Sequence, residues 1–314
     1  MLRLDGEDGS CSWGEAAPYP GLHRESLPET RRQLLTLCRE VTGRELAAPA
    51  AGEFAELFPS VRFAWEMALF PFLNTDLPEQ WQVPVSGLVN PAYGSPVAAA
   101  RWVKQEAFRS VKVKVGRLQL REELEWLHTF LEELPLPISL HLDANRAWRL
   151  PEALQFLQNL PHQRIHYIEE PLKEFEELKK LAEKVEIPLA LDESLVEHPP
   201  GSFPAQLAAF WIMKPDVLGS LAEVRRRCDL ARENGVKVVF SNAFLSGAGL
   251  TFLALLQELW GNRQQPAGLG TVFWLEEDLL QTPIRYEGGN LLFRCRWPEI
   301  AVDPARLNPT GEAE

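Results

Sequence analysis

Cysteine is scarce in this chain. Only four occur in 314 residues: Cys11, Cys38, Cys228 and Cys295. They are far apart, without a Cys-x-x-Cys pair, which speaks against a disulfide framework or a zinc site. No apolar run reaches the ~20 residues of a membrane span, and the opening Met1-Leu2-Arg3-Leu4-Asp5-Gly6 is no signal peptide, so a cytosolic protein is expected. Positive charge is in deficit, with 32 Lys and Arg against 44 Asp and Glu and a net charge of -12. Nucleic acid needs a clustered basic face. The densest basic run, Arg225-Arg226-Arg227, lies in an amphipathic helical pattern and reads as a solvated helix face. No Gly-x-Gly-x-x-Gly turn follows a strand. The glycine-rich Ser246-Gly247-Ala248-Gly249 lacks the Gly-Lys-Ser/Thr ending of a phosphate loop.

What remains is an ordinary globular composition, 46% hydrophobic and 24% charged, long enough to bury a sizeable core. Residues 27 to about 72 look helical. Pro28 and Glu29 precede Leu34, Leu35 and Leu37, and a second helix begins near Ser60 with Val61, Phe63, Ala64, Met67 and Ala68. A proline-punctuated linker around Thr75–Gln80 ends this unit. From Val83 strands and helices alternate. Strands are predicted at Val83–Val89, Val111–Val115, Ile138–Asn145, Ile165–Glu170, Pro188–Asp192, Phe210–Lys214 and Val236–Ser241, with an eighth crossing at Thr271–Leu275. Helices are predicted at Glu122–Leu134, Pro151–Leu160, Phe175–Val185 and Leu221–Asn234. Apolar strands alternating with helices mean a covered parallel sheet, and this many units favour a closed (β/α) barrel over an open sheet. The boundaries expected are a capping domain at 1–82, a barrel at 83–275, and a tail, 276–314, that packs back on the cap. In the tail Gly288-Gly289-Asn290 reads as a hairpin turn, and the end beyond Pro298 as frayed.

Five of the strands end in a charged residue of a particular kind: Lys114, Asp143, Glu169, Asp192 and Lys214, spaced roughly 20–30 residues apart as in a barrel. Strand alternation points Lys112 with Lys114, and His141 with Asp143 and Asn145. Three carboxylates meeting in a dry cavity repel one another unless a dication neutralises them, and all-oxygen ligation favours Mg²⁺. A lysine beside a metal and a second ammonium loses its preference for the charged form and becomes a usable base. The arrangement suits removal of a proton α to a carboxylate, the dication holding the enediolate charge. Each piece alone has a plainer reading: Lys-Val-Lys-Val as a half-exposed strand, Asp-Ala-Asn as a turn or cap, Glu-Glu-Pro and Asp192-Glu193-Ser194 as helix starts. Their order and spacing at five consecutive strand ends favour the site.

These residues resemble the enolase superfamily in its muconate-lactonizing-enzyme-like branch. Within it the wording is most similar to the o-succinylbenzoate synthase family: Trp13-Gly14-Glu15-Ala16-Ala17-Pro18-Tyr19-Pro20-Gly21 resembles a capping loop, Pro59-Ser60-Val61-Arg62-Phe63-Ala64 a second specificity loop, and Asp143-Ala144-Asn145-Arg146-Ala147-Trp148 the motif at the first metal-binding strand. The resemblance implies an α/β fold, a (β/α)7β TIM-like barrel with an N-terminal α+β capping domain completed by the C-terminal tail. It also implies Mg²⁺-dependent dehydration of 2-succinyl-6-hydroxy-2,4-cyclohexadiene-1-carboxylate to 2-succinylbenzoate, toward menaquinone or phylloquinone. Carried over by motif, Lys114 takes the α proton and later protonates the departing hydroxyl, Lys112 supports it, and Lys214 stabilises the other face. Asp143, Glu169 and Asp192 bind the metal. Ser241, Gly268, Gly270, His141 and Tyr19 are the implied substrate contacts, with His141 open to two readings, a substrate contact or a histidine satisfied by a neighbouring carboxylate. His141 stands where relatives carry arginine. Only Met1–Ser12 precede Trp13, where relatives carry further capping strands, so a shortened cap or a misassigned start is expected. Racemization, epimerization and cycloisomerization need the same two lysines and remain alternatives, as does a non-catalytic barrel.

Overall fold

The computed structural model describes residues 1–44, 54, 56–74, 76–294 and 302–307. Strands β1 (Leu2–Asp5) and β2 (Cys11–Gly14) pair antiparallel, Leu2 opposite Gly14, so the residues ahead of Trp13 form a hairpin. Helix α1 (Leu27–Val41) starts on a capping box, in which the Ser26 amide and hydroxyl both donate to Glu29 Oε2, at 2.9 and 2.6 Å. Helix α2 (Pro59–Leu73) is apolar on two sides and is buried on both. Val61, Trp65, Ala68 and Leu69 pack with Leu2, Leu37 and Val41 in a small core of their own. Phe63, Met67 and Phe70 join the large core of the barrel. One helix thus serves as the common wall of two cores.

The barrel consists of seven parallel strands in sequence order, β4 (Gly87–Val89), β5 (Ser110–Lys114), β6 (Ser139–Asp143), β7 (Ile165–Glu169), β8 (Leu189–Leu191), β9 (Phe210–Met213) and β10 (Lys237–Phe240). Between them run α3 (Pro96–Gln105), α4 (Leu120–Glu133), α5 (Leu150–Leu157), α6 (Leu178–Ala182), α7 (Glu193–Glu197), α8 (Pro215–Leu218) and α9 (Leu221–Glu233). Alternation sorts the side chains. Val111, Val113 and Val115 join Trp126, Leu127 and Phe130 of α4 in the outer core. Tyr167, Ala190, Phe210, Ile212 and Val239 form a separate cluster inside the ring. Asp143, Glu169, Asp192 and Lys214 continue the inward rows.

The ring closes differently from expectation. Thr271–Leu275 is not a strand; Gly270–Trp274 is a 3₁₀ helix. Closure is made by Ala267 and Gly268, which bridge Val85 and Ser241 in parallel. Ala267 N donates to the Pro84 carbonyl at 2.7 Å, and Gly268 N to the Phe240 carbonyl at 2.9 Å. Two small residues cannot show a period of two, which is why the stave escaped pattern reading. The single strand expected at Val83–Val89 is two: β3 (Gln80–Pro84) lies outside the barrel and β4 within it. Phe175–Val185 is a short 3₁₀ turn, Phe175–Glu177, followed by α6. Helix α10 (Gly247–Leu259) was hidden in sequence because it is buried all round and has no polar face.

In the tail, β11 (Arg285–Glu287) and β12 (Asn290–Arg294) turn at Gly288 and Gly289, with φ of +56° and +86°, as the hairpin signal predicts. β12 then pairs with β3, so this part of the tail returns to the segment that follows the N-terminal helices. Residues 295–301 and 308–314, with Cys295 and the expected frayed end, lie outside the described residues; Cys11, Cys38 and Cys228 are free thiols. Among the described residues no helix is long and apolar enough to cross a membrane.

Candidate active site

Register alone brings the charged strand ends together. Lys114 lies opposite Asp143, Asp143 opposite Glu169, and Glu169 opposite Ala190, two residues before Asp192. Lys112 Nζ is 2.8 Å from both oxygens of Glu169 and 2.8 Å from Asp143 Oδ2. Lys114 Nζ donates to the same Asp143 oxygen at 2.7 Å and to Asn145 Oδ1 at 2.9 Å. On the far side Lys214 Nζ is hydrogen-bonded to Asp192 Oδ2.

The loops behind these residues hold them under strain. Asn145, Arg146 and Glu170 have positive φ, 44°, 59° and 40°, at roughly 1–3 kcal/mol apiece. Neighbouring bonds over-determine that geometry. Asn145 N donates to Asp143 Oδ1 at 3.1 Å, and Arg146 Nε to Glu170 Oε2 at 3.1 Å. Glu170 Oε1 accepts the amides of Asp192 and Ser194 at 2.8 and 2.9 Å, which fixes the third acidic strand end. After β5, Glu123 accepts the amides of Gly116 and Arg117. Gly116, at φ +72°, has no space for a side chain, since a Cβ there would lie 2.2 Å from that of Ala147.

The charges are unevenly matched. Burial opposes ionisation of Asp143, but Lys112 and Lys114 overcome it and hold that carboxyl well below the usual range. Burial likewise opposes the charge on Lys112 and Lys214, and the surrounding carboxylates outweigh it, so both ammoniums are favoured. Glu169 carries the remaining cost: burial, then the charges of Asp143 and Asp192, push it well above its ordinary value. Among the described residues no three acids, imidazoles or thiols already surround one point at cation-binding distance; ammonium groups lie between the acids. The donor set nonetheless fits a hard dication. It is all oxygen and sits on adjacent strand ends, and Glu169, held above its ordinary value among the other acids, is the carboxylate whose ionisation a dication would favour.

One cavity is lined by Lys112, Lys114 and Lys214 together with Ser241, Gly268 and Gly270, all six named from sequence. Two of the expected contacts are placed elsewhere. His141 lies below, fully buried. Its Nδ1 faces Ser86 Oγ at 3.1 Å and its ring stacks on Tyr167 at 4.4 Å. Burial, then His166 and Lys112, hold it well below its ordinary pKa, so it stays neutral. Its Nδ1 meets a serine hydroxyl, neither a carboxylate nor the cavity, and its Nε2 is buried without a hydrogen-bond partner. Tyr19 does not line the cavity either; it stacks on Phe244, which does.

Residues 96–295 match the family model described as enolase C-terminal domain-like. An o-succinylbenzoate synthase of Edwardsiella ictaluri is 32% identical over 292 residues, covering 90% of this chain and 84% of the relative. The chain belongs to the o-succinylbenzoate synthase family of the enolase superfamily. Solved structures show the same fold. Muconate lactonizing enzyme from Pseudomonas putida superposes with a TM-score of 0.80 at 19% identity, over 97% of this chain and 92% of the other. A dipeptide epimerase from Cytophaga hutchinsonii, complexed with Mg and the dipeptide D-Ala-L-Val, gives 0.78 at 20% identity, over 95% and 88%.

Within this synthase family site, several residues had no distinct signal in the sequence. Ser86, Leu88, Asn242, Phe244 and Thr271 also line the cavity. Asn145 links Lys114 to Glu193 Oε1, 3.1 Å away. Its neighbour Asp143 was legible as a strand end, and Asn145, two residues on, shares its inward direction. Leu88 and Thr271 carry no charge or motif and could be found only by folding.

Proposed function

We propose that this chain dehydrates 2-succinyl-6-hydroxy-2,4-cyclohexadiene-1-carboxylate to 2-succinylbenzoate, in the cytosol, on the way to menaquinone or phylloquinone. The convergence of Lys114 and Lys214 on one cavity, each hydrogen-bonded to a different buried carboxylate, supports proton removal α to a carboxylate; the likeness to o-succinylbenzoate synthases favours dehydration over racemization, which uses the same two lysines. We assign residues 1–82 and 276–314 to the cap and 83–275 to the barrel; β3 and β12 pair at that junction and bury Trp81, Val83, Leu291 and Phe293 in the large core.

Asp143, Glu169 and Asp192 would hold Mg²⁺, which supplies positive charge where the substrate carboxylate gains electron density. Lys114, anchored between Asp143 and Asn145, removes the α proton and returns it to the departing hydroxyl on the same face. Lys112 keeps Asp143 ionised and lies beside Lys114 on the same oxygen. Lys214 remains an ammonium and stabilises the charge developing on the opposite face. Ser241, Gly268 and Gly270 shape the end of the cavity that takes the succinyl arm. Gly268 is crowded: a Cβ there would meet Ser241 Oγ at 2.4 Å.

Purified protein incubated with the cyclohexadiene acid and Mg²⁺ should produce the aromatic product, followed by its absorbance. Absence of that product, with exchange of the α proton of N-acylamino acids in deuterated water, would assign the site to racemization instead.

A further inference from the structure

The capping loop enters the barrel mouth pinned rather than free. Its turn, Tyr19-Pro20-Gly21-Leu22, has proline second and glycine third at φ +84°, and the amides of Leu22 and His23 both donate to the Tyr19 carbonyl. His23 has no exposed side-chain surface. Its Nδ1 accepts the Tyr19 amide at 3.0 Å, so the ring proton is on Nε2, which faces the Asp216 carbonyl at 3.2 Å. Asp216 lies two residues beyond Lys214. A second anchor, Glu15, accepts from Ser246 and Gly249 at the start of α10.

The opposite side is equally fixed. Phe244 holds a left-handed backbone, φ +65°. Asn242 imposes it: Oδ1 accepts the amides of Phe244 and Leu245 and the Thr271 hydroxyl, while Nδ2 donates to the Gly268 carbonyl. The rings of Tyr19 and Phe244 then stack 5.6 Å apart at 17°, and Phe244 faces the lysine cavity.

We propose that His23 is a positioning residue that clamps the capping turn to α8, the short helix that follows Lys214. The Tyr19–Phe244 stack it secures is a preformed aromatic wall that selects carboxylic acids with a flat, unsaturated ring. The selectivity rests on the function proposed above; the clamp does not.

Two measurements test it. In the ligand-free protein the Tyr19 amide should exchange slowly with solvent. His23→Ala should lose that protection and His23→Gln, whose carboxamide both accepts and donates, should regain it. In turnover, Phe244→Ala, Tyr19→Ala and His23→Ala should each raise KM about tenfold, with the loss falling on KM rather than kcat, and the His23→Ala/Phe244→Ala double variant should be no worse than either single. Unchanged Tyr19 exchange in His23→Ala overturns the clamp, and multiplying effects in the double variant overturn the wall. If the parent makes no 2-succinylbenzoate, the proposed function fails, while the exchange measurement still decides the clamp.

Discussion

The ammonium of Lys112 lies 2.8 Å from each oxygen of the Glu169 carboxylate, and both side chains are removed from solvent. It also reaches Asp143, so one cation stands between two acids. Removing one member of such a buried group leaves uncompensated charge and costs about 3–5 kcal/mol. Lys112→Ala should therefore lower the melting temperature sharply in EDTA. Added Mg²⁺ should restore more stability to the variant than to the parent, because the dication takes over the neutralisation. Equal Mg²⁺ effects on both would dissociate Lys112 from the acidic cluster.

Lys114 is different, since a quarter of its side chain is exposed. Lys114→Ala should reduce turnover by about 10³-fold or more, the scale of a lost general base. It should leave the thermal transition close to the parent's. Mg²⁺ binding, followed by calorimetric titration, should persist, because an ammonium has been removed from beside Asp143. A near-normal rate would take Lys114 out of the mechanism.

Glu15 joins the capping loop to the barrel. Its carboxylate caps α10 through Ser246 N at 2.8 Å, Ser246 Oγ at 2.6 Å and Gly249 N at 3.0 Å. Burial pushes its pKa up, and these bonds pull against that rise. Glu15→Ala should cost about 2 kcal/mol, a cap plus an unsatisfied helix start. Chemical denaturation would measure it. Gly249→Ala should be comparably damaging, since a Cβ there would lie 2.7 Å from Glu15 Oε2 and 2.8 Å from Leu245.

Asp216 provides a pH signature. Burial pushes its pKa up to about 6, against the pull of the Lys214 ammonium. Neither carboxylate oxygen has a hydrogen-bond partner, and His23 Nε2 lies 3.9 Å from one of them. The folded protein thus binds this proton more tightly than the unfolded chain, whose ordinary value is 3.8. The group's contribution to stability is fullest at low pH and declines as pH rises from about 4 to 6, by up to about 3 kcal/mol. Asp216→Asn should raise the melting temperature relative to the parent at pH 8 and much less at pH 4.5. An equal shift at both would refute the assignment.

How much of this was legible follows from what each residue's signal depends on. Lys114, Asp143, Glu169, Asp192 and Lys214 stood out because a charged residue at the end of an apolar run is costly unless it has a purpose, and five recurred at barrel spacing. The helices with one polar face, such as α4 and α9, could be read from their period. Helix α10 could not, being apolar all round, nor could Ala267–Gly268, too short to have a period.

The chain's own order of residues determined the alternating elements, the inward direction of Lys112, Lys114 and Asp143, and the oxygen character of the proposed metal site. These depend only on local periodicity and on the cost of burying charge. Tertiary structure decided that His141 meets Ser86 and not a carboxylate, that Tyr19 reaches the site through Phe244, and that His23 ties the cap to α8, next to Lys214. The His23–Asp216 contact joins residues 193 positions apart, and only the closing of the ring and the docking of the cap bring such residues within bonding distance.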